Sequence, residues 1–311
     1  MTITAIPMRT QMQYTLADLA EQDPRLMILL ADISINYFDQ IQQRYPERVH
    51  NLGILEQTLI GTGAGVAMEG FIPVLHSIAP FLVERPFEQI KLDFCYQGLQ
   101  GNFISIGASY DYSTEGMTHH GTGDVQILRS LPGMQIVVPG TGAEFDRLFR
   151  AAYANGSPTY YRLSEQENPT DQPVEFGKLS VVKEGKTATI IAVGPALRHV
   201  LPAVTDLDVT VLYCTTVAPF DSETLRHYAH QNIILVEPYY SGGLSADISA
   251  ALKHIPIRLE AIGVPHVLPI HYGSIEQHDI ANGLTPEEIR RKILSFLSMG
   301  ADVAPAPGSI S

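Results

Sequence analysis

Three places in the chain carry side chains that could do chemistry. The first is Glu56, set between an apolar run (Leu52, Ile54, Leu55) and a stretch of small residues over 61–70. A carboxylate in such company needs a hydrogen-bond partner, and it is a candidate for proton transfer. A negative charge is also favoured at a helix start, where it meets the positive end of the dipole; the sequence leaves both readings open. The second is Phe81, which follows an apolar strand pattern. Its ring could stack on a flat ligand or fill the core. The third is the Gly-rich run YDYSTEGMTHHGTG at 110–123, which with Asp124 collects Asp111, Glu115, His119 and His120. Loops at the C-terminal ends of parallel strands are where ligands bind. Adjacent histidines suit acid–base or hydrogen-bonding work. The further ligands that a metal site recruits at defined spacings are missing, and a solvated histidine pair is the plain alternative.

The elements that must position these groups alternate in type. Residues 10–22, 56–68, 87–96, 124–130 and 142–153 read as helices, and 26–31, 71–75, 103–108, 135–138 and 159–162 as short apolar strands. Continuous apolar strands in alternation with helices predict a mainly parallel sheet covered on both faces. Residues 1–168 therefore read as one α/β domain. The polar stretch 169–185 reads as a linker. A second domain of the same kind spans 186–299, with strands at 188–193, 209–213 and 233–236 and helices at 222–229, 243–252 and 285–298. Thr285 as N-cap, Pro286 after it and Glu287 and Glu288 mark the start of the last helix. The tail 300–311 reads as flexible.

Composition narrows the function classes. The 311 residues suffice for about two domains, at 45% hydrophobic and 17% charged content. The net charge is −13 and no Lys/Arg cluster is present, which argues against nucleic acid and anionic membranes as partners. Cys95 and Cys214 lack metal-ligand spacing and read as two buried thiols of a reducing compartment. The first residues lack the basic-then-apolar order of a signal peptide, and no apolar run approaches the roughly 18 residues of a membrane span. The expected location is the cytoplasm. The G-x-G pairs at 61–63 and 121–123 lack the dinucleotide spacing, and neither a Walker loop nor G-x-S-x-G is present.

The strings LGILEQTLIGTGAGVAMEGFIPV, FLVERPFEQIK and EGMTHHGTGDVQILRSLPGMQIVVPG, in that order, resemble the pyrimidine-binding domain of the transketolase family. APFDSETL, LVEPYYSGGLSADISAAL and HYGSIEQHDIANGLTPEEIRRKIL resemble its C-terminal domain, the last string being closest to the deoxyxylulose-phosphate synthase type. The resemblance runs over roughly residues 8–298. It implies thiamine diphosphate chemistry. Glu56 matches the Glu that hydrogen-bonds the aminopyrimidine ring nitrogen and promotes the imino tautomer, whose nitrogen takes the proton from the thiazolium carbon. Phe81 matches the aromatic that stacks on the pyrimidine, and Ile54 and Leu55 an apolar wall beside the cofactor. His119 matches the substrate-contacting His of the TH[QH] motif, with His120 beside it. Glu115 and Arg9 fall near further substrate-contacting positions.

The chain departs from the pattern in several places. Where phosphate-binding members carry an Arg, it has Glu165, with Arg162 three residues earlier on the strand. Where transketolases carry an aromatic one helical turn past Phe81, it has Glu84 or Arg85. INYFDQ stands in place of a serine-rich loop after LLADIS. A carboxylate repels a phosphate dianion, so the acceptor need not be phosphorylated. The GDG…N motif that holds the diphosphate through Mg²⁺ is absent. The resemblance therefore implies a split-gene enzyme. A partner subunit would carry the diphosphate-binding domain and the Mg²⁺, and pyrimidine domains would pair in an α₂β₂ assembly. The β subunit of a 2-oxo acid dehydrogenase is the alternative. A non-catalytic scaffold subunit would be expected to lack Glu56 or Phe81.

Overall fold

The computed structural model describes residues 6–270 and 272–299; the tail expected to be flexible lies outside the described residues. Two mainly parallel sheets are flanked by helices. The first half supplies β1 Leu26–Leu30, β2 Val49–Asn51, β3 Ile72–Ile78, β4 Gly101–Ile106, β5 Gln135–Val137 and β6 Pro158–Arg162. The second supplies β7 Leu179–Lys183, β8 Thr189–Val193, β9 Thr210–Cys214, β10 Thr216–Ala218, β11 Asn232–Tyr240 and β12 Arg258–Val264. The sheet orders are β10-β5-β6-β4-β3-β1-β2 and β12-β11-β8-β9-β7. Every pairing is parallel except β10 with β5 and β7 with β9.

The strands are apolar throughout because helices cover both faces of the first sheet. On one face, Met12 and Leu16 of the helix Met8–Gln22 and Phe145 and Phe149 of the helix Gly142–Ala152 share a core with Ile28, Val74 and Ile104. On the other, Leu59 and Ile60 of the helix Glu56–Met68 pack with Phe94 and Leu75. Gly63 lets that helix lie directly on β3: a Cβ there would sit 2.5 Å from Leu75 Cδ2. The last helix, Pro286–Ser298, starts as the sequence predicts, with the Thr285 hydroxyl accepting from Glu288 N at 3.3 Å.

Several expectations change. Part of the stretch 169–185 read as a linker is β7, which pairs with β9 at the sheet edge. Of its side chains only Leu179 is buried, so it carries no apolar run. β10, from the second half, closes the edge of the first sheet. β3, expected to end at 75, runs on to Ile78 and passes straight into the helix Ala79–Val83, which carries Phe81. The helix expected at 87–96 is a short α turn, Phe87–Gln89, followed by the π-helix Ile90–Tyr96. INYFDQ belongs to a further helix, Ile35–Arg44. Cys214 is buried as expected, whereas Cys95 is only half-buried. Among the described residues no helix is long and apolar enough to cross a membrane.

Candidate active site

The chemistry-bearing side chains gather at the C-terminal ends of β1, β3, β4 and β6, where parallel sheets place ligands. Glu56 opens the helix Glu56–Met68 and is 1% exposed. Its Oε1 accepts from Ser77 Oγ of β3 at 3.3 Å, and its Oε2 accepts from Arg85 Nη1 at 2.5 Å. The Arg85 guanidinium also lies over Phe81, with Cζ 4.4 Å from the ring centroid. On the same ring, His119 packs edge-on at 5.1 Å. Thr118 Oγ1 lies 2.9 Å from His119 Nδ1. Glu56, Phe81 and His119, three of the residues read from the sequence, thus form one cluster. A buried carboxylate beside an aromatic face can take a flat ligand that donates N–H.

The other candidates lie elsewhere. His120 turns away from His119 and is buried between the two halves of the chain. Its ring is 5.2 Å from that of His278, which itself stacks on Tyr110 at 5.0 Å. Burial, with the His278 ring close by, pushes His120 below the usual histidine range. Ile54 and Leu55 are 66% and 55% exposed, so within this chain they wall no cleft. Glu115 is exposed on the loop.

Arg9 and Glu165 line a second part of the cleft together with Tyr112 and Ser164. Arg9 Nε donates to Ser34 Oγ at 3.1 Å, and Ser34 Oγ lies 2.7 Å from His76 Nε2. His76 Nδ1 is 2.8 Å from the Ile104 carbonyl, which can only accept, so the proton is on Nδ1 and Nε2 accepts from Ser34. Burial, with the Arg9 charge nearby, pushes His76 down to about 4, which keeps the imidazole at the inner end of this relay neutral. Asp111, beneath Glu165, accepts from Ser164 Oγ at 2.9 Å and from Glu165 N at 3.0 Å; burial raises it to about 7.

Arg162 does not face the cleft. It is 1% exposed and bonds Asp124 Oδ2 through Nε at 2.8 Å. Its Nη2 reaches Ser109 Oγ at 3.0 Å and Gly121 O at 2.8 Å. Burial alone would lower its pKa, but the Asp124 charge outweighs that, and the guanidinium stays charged. Arg162 therefore ties down both ends of the loop that carries His119. Ser34, Ser77 and His76 carried no sequence signal, and Arg85 stood out only as a departure from the family pattern, with nothing to tie it to Glu56. Each is an ordinary strand or loop residue until the fold brings its partner to it.

No group of three or more His, Cys, Asp or Glu that could hold a metal ion occurs among the described residues. Residues 4–170 match the family description "Transketolase, pyrimidine binding domain" and residues 177–289 match "Transketolase, C-terminal domain". A 33.6 kDa protein in the fasciation locus of Rhodococcoides fascians is 38% identical over 288 residues, spanning 91% of this chain and 92% of its own. A subunit of the apulose-4-phosphate transketolase of Phocaeicola vulgatus is 30% identical, spanning 91% of this chain and 95% of its own. A solved structure described as "Split gene transketolase, inactive beta4 tetramer" superposes with a TM-score of 0.85 at 28% identity, covering 94% of this chain and 99% of that one. The chain belongs to the transketolase family and carries its pyrimidine-binding and C-terminal domains in succession.

Proposed function

We propose that this chain is the C-terminal subunit of a split, thiamine diphosphate-dependent enzyme. It transfers a ketol or acyl unit from a keto donor to an aldehyde or other carbonyl acceptor. The observation that carries this reading is the cluster of Glu56, Phe81 and His119 at the strand ends. Glu56 and Phe81 suit an aminopyrimidine: a buried oxygen acceptor stands beside a ring that can stack on it. When bound, the cofactor supplies a carbon nucleophile that holds the transferred unit. Glu56 would hold the proton at the pyrimidine nitrogen, Phe81 would orient the ring, and His119 would hydrogen-bond the substrate oxygens.

The Mg²⁺ and diphosphate end has no matching ligand cluster among the described residues, which supports placing both on a partner subunit. The description of the β-only neighbour as inactive supports the same division. Ile54 and Leu55, with exposed Leu92 and Tyr96 on the adjoining π-helix, supply the apolar surface for an α₂β₂ assembly built on the pyrimidine domains. At the acceptor end, Glu165 projects beside Arg9, and Arg162 is locked inward against Asp124 and does not reach into the cleft from β6. This favours an acceptor whose recognition does not depend on a terminal phosphate. Two free thiols suit a cytoplasmic location.

The test is reconstitution with the partner chain, thiamine diphosphate and Mg²⁺. Glu56→Gln should lower turnover of a 2-keto donor by at least about a thousandfold, an effect of the size seen when a proton-handling group is removed. Full activity in Glu56→Gln would end the assignment. So would tight cofactor binding by this chain alone.

A further inference from the structure

Arg85 makes both contacts that a pyrimidine in the proposed seat would need. Its Nη1 donates to Glu56 Oε2 at 2.5 Å, and its Cζ lies 4.4 Å from the centroid of the Phe81 ring. A guanidinium and an aminopyrimidine share the relevant chemistry. Both are flat, both donate N–H to a carboxylate, and both stack on aromatic faces. A carboxylate oxygen and a ring face this close together define one place, and the two groups cannot hold it at once.

The two partners differ in freedom. Glu56 is 1% exposed and pinned from its other side by Ser77. The Arg85 side chain is 37% exposed, and its backbone carbonyl is held by Gln57 Nε2 at 3.4 Å. Rotation of the side chain alone would carry the guanidinium into the cleft mouth without moving the main chain. Glu56 is fixed and Arg85 is the arm that can leave.

We infer that Arg85 occupies the pyrimidine seat in exchange with the cofactor: it neutralises Glu56 when the seat holds no pyrimidine, and thiamine diphosphate must displace it to bind. Arg85 thereby sets the apparent cofactor affinity, because the observed constant is weakened by the fraction of molecules in which the arm is in place. This rests on the Glu56–Phe81 reading above. It also predicts opposed effects of one substitution. Removing the guanidinium leaves a buried carboxylate without its counter-charge, which destabilises the chain, yet it frees the seat.

The experiment compares the wild type with Arg85→Met, Arg85→Lys and Glu56→Gln. Unfolding temperature is measured on the chain alone. Thiamine diphosphate affinity is measured by calorimetry on the complex reconstituted with its partner and Mg²⁺. Arg85→Met should lower the unfolding temperature and tighten cofactor binding by about tenfold. Arg85→Lys keeps the charge but loses the flat face, and should tighten binding by a smaller factor; it carries the test should Arg85→Met fail to assemble. A buttressing role for Arg85 predicts the opposite pattern, with stability and affinity falling together. Unchanged or weaker binding in both Arg85 variants overturns the exchange, provided Glu56→Gln still abolishes turnover. If Glu56→Gln leaves both affinity and turnover unchanged, the pyrimidine seat itself is misassigned and the exchange falls with it.

Discussion

Replacing Arg162 with methionine should separate the stability of this fold from its activity. Arg162 and Asp124 are both buried, and Asp124 Oδ1 has no hydrogen-bond partner among the described residues. The Asp124 charge therefore relies on Arg162 Nε at 2.8 Å and the Tyr160 hydroxyl at 2.7 Å. Removing one member of such a pair strands the other and costs about 3–5 kcal/mol. For a chain of this length that is a fall of about 8 °C in Tm, at about 2 °C per kcal/mol. Arg162→Met/Asp124→Leu removes both charges, so the stranded-charge penalty vanishes and stability should return to within about 1–2 kcal/mol of the wild type. Activity should not return. Arg162 Nη2 also holds Gly121 O and Ser109 Oγ, at the two ends of the His119 loop, and Ser109 sits at a φ of 53° that a non-glycine residue adopts only under constraint. The double variant lacks that tether. Turnover of the reconstituted complex should stay at least about tenfold down in both variants, as expected when a positioned group loses its geometry. Urea unfolding and initial rates give the two readouts. A double variant no more stable than Arg162→Met refutes the stranded-charge account, and one with full turnover refutes the tether.

Asp111 is raised to about 7 by burial, so the folded chain holds its proton between pH 4 and 7 while the unfolded chain has released it. Stability contributed by this group is therefore lost as pH rises through that window, by on the order of a few kcal/mol. His76, lowered to about 4, acts in the opposite sense, its contribution rising with pH up to about 6.5. The two partly cancel in the wild type. Asp111→Asn should raise stability at pH 7.5 relative to pH 5 when compared with the wild type in denaturant titrations; parallel curves would rule the buried charge out. Leu55→Glu should leave the fold's stability within about 0.5 kcal/mol, because the side chain is exposed. It should also shift the assembly to smaller species in sedimentation. An unchanged assembly would remove this surface from the interface.

Glu56 was legible because its type contradicts its neighbours: a single acid amid apolar and small residues has few places to go. Phe81 and His119 were legible mainly through the order of the family's strings, since a lone Phe or His says little. The partner of Glu56 was not legible, because Arg85 lies 29 positions away and meets it only once β3 and the following helix set the separation. His119 and His120 differ for a similar reason. They are adjacent in sequence, but the loop's turn sends one ring to Phe81 and the other to His278. Period and composition cannot divide such a pair. β7 and β10 escaped because edge strands bury one face or are very short, so they carry no apolar run. The passage of β10 from the second half into the first sheet also blurred the domain boundary.

These cross-overs bear on what the second domain does for the site. The segment 109–129 carries the His119 loop and the short helix Asp124–Arg129 after it. The second half grips it on both sides of the His119 loop. Ser109 Oγ donates to Pro238 O, and the Tyr110 hydroxyl donates to Asp279, which also binds Arg198 at 2.9 Å. Tyr240 N donates to Thr122 O at 3.0 Å, and Gln126 returns a bond to Tyr240 O. Arg129 reaches Val217 O at 3.2 Å and pairs with Asp247. A Gly-rich loop held only from its own sheet would sample many conformations, at an entropic cost of about 1–2 kcal/mol for each residue that must be ordered. Distributing the restraint over two sheets meets that cost with contacts that need not come from the cleft itself. The cleft side chains are thereby left to ligands. The candidate cofactor contacts Glu56 and Phe81 both come from the first half, while the second half holds the segments on either side of His119.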